Sequence, residues 1–188
     1  MLLWSAGAAT AAAYVAGVAR GKKGWPKVLP ALLVAAAVLP HSAVATAAFV
    51  ACAAGDALLL DKDRFFLQGL AAFLVGHLLL VPTFWAGTPS VPLMVAVAAL
   101  VGGMSVLLVP RVPGALRVAI PVYALAIGAM ILSTGHAPRI ALTGAATFAF
   151  SDSVLATNRF VRPLPHAEVI VMTTYYAAVL QLGYALLA

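Results

Sequence analysis

Charged residues are scarce in this chain. Lys, Arg, Asp and Glu make up only 9% of its 188 residues, whereas a soluble domain carries roughly 25%. Hydrophobic residues make up 64%, and the mean hydropathy is +1.09. Because so few polar residues cannot cover a water-soluble globule, the composition argues against a soluble protein. It predicts a single integral membrane domain over residues 1–188.

Cysteine and the common catalytic motifs are also scarce or missing. Cys52 is the only cysteine, so an intrachain disulfide is impossible. The sequence has no HExxH, CxxC, GxSxG or P-loop pattern, and its four histidines are spread over separate segments. We therefore predict no metal site and no cofactor. The basic residues lie in short connections rather than along one stripe, so we expect no nucleic-acid partner.

The apolar stretches predict helices, since Ala, Leu and Val dominate them without the alternation of a barrel strand. About 20 residues are needed per crossing, which leaves room for eight short-looped spans. Gly, Pro and charged residues mark the connections. Together these signals predict an all-α polytopic bundle of eight transmembrane helices at 2–19, 27–40, 43–60, 65–84, 92–109, 115–133, 139–157 and 167–187. No basic residue precedes the first apolar run, so we expect a retained helix rather than a cleaved signal peptide.

The basic residues predict an orientation. All eleven Lys and Arg residues except Arg139 lie at the first, third, fifth or seventh connection. The positive-inside rule makes that side cytoplasmic and leaves both termini outside. We therefore expect an integral protein of a bacterial plasma membrane, in contact with membrane lipids.

Two segments of the chain resemble each other. Segments 55–59 and 151–155 both read small residue, Asp, small residue and two aliphatic residues, and Arg-Phe follows each after a short interval. The segments are four predicted helices apart and therefore point the same way through the membrane. The match predicts two parallel four-helix halves related by an axis along the membrane normal. A chance match between two Ala-rich helices is the alternative.

Asp56 and Asp152 are the candidate catalytic residues. A carboxylate at membrane depth costs several kcal/mol, and such residues usually face a bundle interior or a wet cavity with a function. Counted from the predicted helix ends, both lie on the order of 6–8 Å inside the cytoplasmic boundary, so we expect them to share a cavity there. Repulsion would leave one carboxyl protonated and one ionised, as proton transfer requires. Alternatively, each Asp pairs with a loop arginine such as Arg64 or Arg159.

At these residues the sequence resembles the YhhN-like lysoplasmalogenases, which are small multi-helix membrane hydrolases. The matches follow in order along almost the whole chain. In chain order they are Lys27, Gly55-Asp56, the segment 66–77 ending in Gly76-His77, Pro121-Val122-Tyr123, Phe150-Ser151-Asp152-Ser153, Asn158-Arg159-Phe160 and Thr174-Tyr175-Tyr176-Ala177-Ala178.

The resemblance implies an activity and a set of site residues. The activity is hydrolysis of the vinyl ether bond of a lysoplasmalogen, a lysophospholipid, to a fatty aldehyde and a glycerophospho-alcohol. Asp56 and Asp152 would be the acid and base. The expected substrate-binding residues are Lys27, Gln68, His77, Tyr123, Ser151, Asn158, Arg159, Tyr175 and Tyr176.

Three other functions are compatible with the same residues. A small proton-coupled transporter would also use buried carboxylates and a parallel repeat. A structural or lipid-scaffolding protein would need the aspartates only for pairing with loop arginines. A membrane hydrolase acting on an ester or amide, with or without zinc, is the third.

Overall fold

The computed structural model describes all 188 residues and is entirely helical. The predicted number and order of the helices are confirmed. The eight α-helices are α1 (Leu2–Val18), α2 (Leu29–Val38), α3 (Ala43–Leu58), α4 (Lys62–Phe84), α5 (Val91–Leu108), α6 (Leu116–Ser133), α7 (Arg139–Phe160) and α8 (Ala167–Leu187). A 3₁₀ turn (Trp25–Val28) precedes α2, where the sequence predicted a continuous helix from residue 27. Pro30 lies in the first turn of α2. The N–H groups of a first turn make no hydrogen bond within the helix, so the N–H that proline lacks is not needed there.

The helices fit an integral membrane protein. Five of them, α4 to α8, are long and apolar enough to cross a membrane, while α1, α2 and α3 are shorter apolar helices. Only α2 is much shorter than a full crossing, with 10 residues in its α-helical part. The chain is therefore an integral membrane protein built as a helical bundle.

Three helix ends near the aspartates differ from the prediction. Helix α4 begins at Lys62 rather than 65, because the Asp61 side chain caps it by accepting a hydrogen bond from the Arg64 N–H at 3.2 Å. Helix α7 continues to Phe160 rather than 157, because no Gly or Pro interrupts it there. Helix α3 in turn ends at Leu58 rather than 60, so the predicted similar spacing of the two aspartates from their helix ends is wrong. Asp56 lies in the last turn of α3, whereas Asp152 lies about two turns before the end of α7.

Helices α3 and α4 form one of the two most extensively packed pairs, and α7 and α8 form the other. Two glycines allow the close approach of α3 and α4. A Cβ atom at Gly55 would lie 2.6 Å from the Phe73 ring, and one at Gly69 would lie 2.7 Å from Leu59 Cδ2. Each glycine thus receives a large side chain from the facing helix.

Four connections meet at one end of the bundle, which we call the basic end: 19–24, 59–61, 109–115 and 161–166. The contacts that join them include the Lys23–Glu168 salt bridge and a hydrogen bond from the Arg159 guanidinium to the Lys62 carbonyl at 3.2 Å. A small apolar cluster packs the 109–115 connection against Phe160 at the end of α7. The two aspartates lie at this end.

Candidate active site

Two cavities open at the basic end of the bundle. The larger, which we call the polar chamber, has a volume of about 430 Å³ and lies among α1, α3, α4, α7, α8 and the 3₁₀ turn. Nine charged side chains line it, and this concentration in an otherwise apolar protein marks it as the candidate site. They are Lys23, Lys27, Asp56, Asp61, Lys62, Asp63, Asp152, Arg159 and Glu168.

The second cavity, which we call the apolar groove, is formed mainly by α4, α5, α6 and α7. Its volume is about 80 Å³, so it is much smaller than the chamber. Of its 18 lining residues 16 are hydrophobic, and Asp152 is the only one that carries a charge. A groove of this kind suits an alkyl chain. Asp152 is the one lining residue that could interact with a charged group.

Asp152 lies where the two cavities meet. Only four residues line both cavities, namely Leu59, Phe73, Asp152 and Leu155. Asp152 is the one polar member of this set, while Asp56 lines the chamber alone. The structure therefore brings both aspartates to one cavity and gives Asp152 access to a second.

Asp56 is buried and has two partners. Its side chain is 1% exposed, and the Lys27 ammonium nitrogen lies 3.2 Å from Oδ1. The Tyr175 hydroxyl donates a hydrogen bond of 2.7 Å to Oδ2. Lys27 is itself buried, and its carbonyl accepts a hydrogen bond of 2.9 Å from the Tyr176 hydroxyl. Asp56 is thus one half of a buried ion pair that several elements hold in place.

Asp152 has a different environment. The Tyr123 hydroxyl donates a hydrogen bond of 2.6 Å to its Oδ2. No Lys, Arg or His nitrogen lies within salt-bridge distance of it, since the salt bridges of the protein all involve other carboxylates. Asp152 is half-buried rather than fully buried. Of Asp56 and Asp152, it is the one that has no positive partner and lines both cavities.

The structure brings four further predicted residues to the chamber. These are Ser151, Asn158, Arg159 and Tyr175. The Ser151 hydroxyl donates to the Val171 carbonyl at 3.0 Å, and the Asn158 side-chain oxygen accepts from the Leu164 N–H at 2.9 Å. These two residues therefore hold α7 to α8 and to the connection between them, in addition to lining the chamber.

Gln68, His77 and Tyr176 line neither cavity. Gln68 is exposed, because its neighbour Gly69 faces α3 and successive helical residues point about 100° apart. His77 is fully buried without a hydrogen-bond partner, and its ring lies edge-on to Tyr123, with centroids 5.2 Å apart. Tyr176 reaches the site only through the Lys27 carbonyl. The prediction that Gln68 faces the site is therefore not supported.

The chamber rim contains residues that the sequence analysis did not assign to the site. Glu168 pairs with Lys23 and lies 4.0 Å from Lys62. Arg159, which the sequence analysis did assign to the site, lies beside them, 4.2 Å from the centre of the Phe66 ring and 4.0 Å from Asp63. The cluster of bases in the loops was the available signal, but it indicates topology and a binding rim equally well.

The alternative in which both aspartates pair with loop arginines does not hold. Arg159 contacts Asp63, and Arg64 stacks over the Phe65 ring at 4.9 Å. Asp56 pairs with a lysine instead, and Asp152 has no cationic partner. The surroundings of the two aspartates are therefore unlike each other.

These features define the class of protein: a helical membrane protein with a charged chamber and an apolar groove that meet at a carboxyl group. Residues 23–185 match the model of the YhhN family, so the chain belongs to the YhhN family. The resemblance drawn from the sequence motifs is confirmed. No solved structure matches the chain.

Curated relatives support the same family. Lysoplasmalogenase TMEM86B of Sus scrofa is 40% identical over 148 residues, which cover 73% of this chain and 61% of the relative. Lysoplasmalogenase TMEM86B of Homo sapiens is 35% identical over 131 residues, covering 70% and 58%. Lysoplasmalogenase TMEM86A of Homo sapiens is 32% identical over 138 residues, covering 67% and 58%. The chain thus spans 58–61% of the length of these relatives.

Proposed function

We propose that this protein hydrolyses the vinyl ether bond of lysoplasmalogens and releases a fatty aldehyde and a glycerophospho-alcohol. The relatives named lysoplasmalogenase support the reaction class. The single observation that carries the proposal is the position of Asp152, a carboxyl group that lines both a charged chamber and an apolar groove.

The shape of the substrate supports this proposal. A lysoplasmalogen has a charged phosphate-containing head, a glycerol unit and one alkenyl chain, and the vinyl ether bond joins the last two. The bases of the chamber rim, Lys23, Lys62 and Arg159, suit the phosphate. The apolar groove suits the chain. With the head in the chamber and the chain in the groove, the vinyl ether bond would lie beside Asp152.

The two aspartates suit the two halves of the reaction. Asp152 has no cationic partner, and we assign it the proton that is transferred to the alkene carbon beyond the ether carbon. The transfer leaves an oxocarbenium ion, and water adds to the carbon that bears the oxygen. Asp56, held ionised by Lys27, stabilises this cation and accepts the proton of the water.

The remaining steps restore the site. The hemiacetal formed by the addition of water breaks its bond to the glycerol oxygen. Asp56 gives the proton that it took from water to the glycerol oxygen, the hemiacetal hydroxyl gives its proton to Asp152, and the products are the aldehyde and the alcohol. One water molecule is consumed, and Asp152 is protonated again at the end of the cycle. Tyr123 orients Asp152 throughout by its hydrogen bond to Oδ2.

We also propose eight crossings with both termini outside. The positive-inside rule then makes the basic end cytoplasmic, and the chamber opens to that side. Packing supports two parallel halves, because the tight α3–α4 pair corresponds to the tight α7–α8 pair four helices later. In such halves α4 corresponds to α8 and α6 corresponds to α2. The contacts between α4 and α6 accordingly have a counterpart in those between α8 and α2.

The test is aldehyde release by the purified full chain from lysoplasmenylethanolamine in detergent. We expect Asp152→Asn to lower the rate by about 10²–10⁴-fold while the protein stays folded. Asp56→Asn should lower the rate as much, and its rate is expressed per folded protein, because it leaves Lys27 buried without its partner. Asp63→Asn, an exposed acid on the same rim, is the matched control and should keep most of the activity. Failure of the wild type to release aldehyde, with transport of a solute into liposomes instead, would favour the transporter.

A further inference from the structure

Three apolar side chains separate the two cavities. Leu59 at the end of α3, Phe73 in α4 and Leu155 in α7 line the chamber on one side and the groove on the other. We call these three residues the partition. Asp152 is the only other residue that reaches both cavities. Whatever extends from the chamber into the groove must therefore pass beside Asp152.

Two of the three partition residues are closely packed. Leu59 is seated against Gly69, and Phe73 is seated against Gly55, at distances that leave no room for a Cβ atom on either glycine. The Phe73 ring also packs edge-on against Tyr175, with centroids 5.6 Å apart. Because close-packed side chains of this kind do not yield easily, Leu59 and Phe73 keep the two cavities apart.

The two cavities differ in what they accept. The groove is small and apolar, so it suits an alkyl chain. The chamber is larger, and charged side chains line it, among them the Lys27–Asp56 pair. An alkyl chain placed in the chamber would displace water from these charged groups, which costs free energy. Each methylene group denied an apolar environment weakens binding about fourfold.

We infer that Leu59, Phe73 and Leu155 select lipids with one chain and reject lipids with two. This inference rests on the proposed function, in which the glycerol unit lies in the chamber and the vinyl ether bond lies beside Asp152. A second chain on the middle glycerol carbon would then start in the chamber. The partition blocks it from the groove, and in the chamber it would displace water from charged groups such as the Lys27–Asp56 pair. The three residues are thus specificity residues and take no part in the chemistry.

The test is a double variant, Leu59→Ala with Leu155→Ala, which shortens two of the three partition residues. Aldehyde release is measured from lysoplasmenylethanolamine and from the same lipid with an oleoyl chain on the middle glycerol carbon. We expect the kcat/KM preference for the single-chain lipid to fall by about tenfold or more, because kcat/KM for the two-chain lipid rises relative to that for the single-chain lipid. Leu78→Ala, a change at an exposed leucine of α4, is the control and should leave the preference unchanged.

An unchanged preference in a folded, active double variant would overturn the inference. The same holds for a variant that loses activity on the single-chain lipid and gains none on the other. If the double variant does not fold, Leu155→Ala alone replaces it, since Leu155 is only half-buried. The single variant should shift the preference in the same direction by about threefold, and no shift would overturn the inference.

A binding measurement separates this inference from the proposed reaction. Saturated alkyl ether analogues have no vinyl ether bond, so they bind without being hydrolysed. We expect the wild type to bind 1-alkyl-glycerophosphoethanolamine at least about tenfold more tightly than its counterpart with a second chain. Equal binding would overturn the role of the partition even if aldehyde is released. Selective binding without aldehyde release would overturn the reaction and leave the partition supported.

Discussion

Asp56 and Asp152 stand in similar stretches of sequence, yet the structure surrounds them differently. Asp56 is fully buried, pairs with Lys27 and accepts a hydrogen bond from Tyr175. Asp152 accepts one hydrogen bond from Tyr123, has no cationic partner and lines both cavities. The difference teaches that the repeated motif sets the position of a carboxyl group on its helix. Residues of other helices set whether that carboxyl group is ionised and which cavities it lines. Two carboxyls in one chamber, one of them ion-paired, are suited to acid–base chemistry.

The largest expected effect comes from removing the cation on one side of this comparison. Lys27→Met would leave Asp56 as a buried carboxylate without a positive partner, and breaking such a pair costs about 3–5 kcal/mol of unfolding free energy. The measurement is denaturant unfolding in detergent. Lys23→Met, which removes an exposed lysine of the same chamber, is the control and should cost less than about 1 kcal/mol.

A second variant tests whether the Lys27 effect comes from charge. In the double variant Lys27→Met with Asp56→Asn, no buried charge is left, so we expect most of the lost stability to return. A double variant as unstable as Lys27→Met alone would show that the pair matters for packing rather than for its charges. The surroundings of Asp56 and Asp152 would then differ less in charge than the 3.2 Å distance between Lys27 and Asp56 implies.

The next effect compares the two tyrosines. Tyr175→Phe removes a hydrogen bond to an ion-paired carboxylate and should cost about 1.5–3 kcal/mol of stability. Tyr123→Phe removes one from a carboxyl that we assign a proton, so it should cost only about 0.5–1.5 kcal/mol. Both values come from thermal or denaturant unfolding of the purified protein. If the two costs are equal, or if their order is reversed, the assignment of charge to Asp56 and the proton to Asp152 fails.

The last effect tests the local difference between the two repeated segments. Gly55 precedes Asp56, and Ser151 precedes Asp152. Gly55→Ser makes the first segment like the second but forces Cβ within 2.6 Å of the Phe73 ring, so we expect a loss of about 1–3 kcal/mol. Ala57→Ser, on the other side of Asp56, is the control and should cost less, because Ala57 is not fully buried. Equal costs would mean that Gly55 is not specifically required for the seating of Phe73.

Much of the fold could be predicted because its signals are local. Pro, Gly and charged residues between apolar runs predicted eight helices with errors of a few residues at most ends. The ends of α3 and α7 were wrong in a way that matters, since Asp56 and Asp152 were expected at equal distances from them. Helix α3 stops at Leu58, ahead of the turn in which Asp61 caps α4, and α7 runs on to Phe160 because no Gly or Pro interrupts it before Pro163.

The site could be predicted only in part. Resemblance to the family indicated Lys27, Tyr123 and Tyr175, each of which contacts one of the aspartates or its partner. It also indicated Gln68, which the structure turns outward, because the rotation of α4 is set by its packing on α3. The partition was not predicted, since Leu59, Phe73 and Leu155 look like any other apolar residues in the sequence.

The sequence by itself determined that this protein is a helical membrane bundle with two acidic residues in apolar surroundings. Composition and helix breakers act along a short stretch of chain, so their effects can be read without the fold. Only the tertiary structure decided which aspartate receives a cation and which one reaches both cavities. The physical reason is that the deciding contacts join distant parts of the chain, such as Tyr175 and Asp56, 119 residues apart. Helix packing alone sets which of these residues meet.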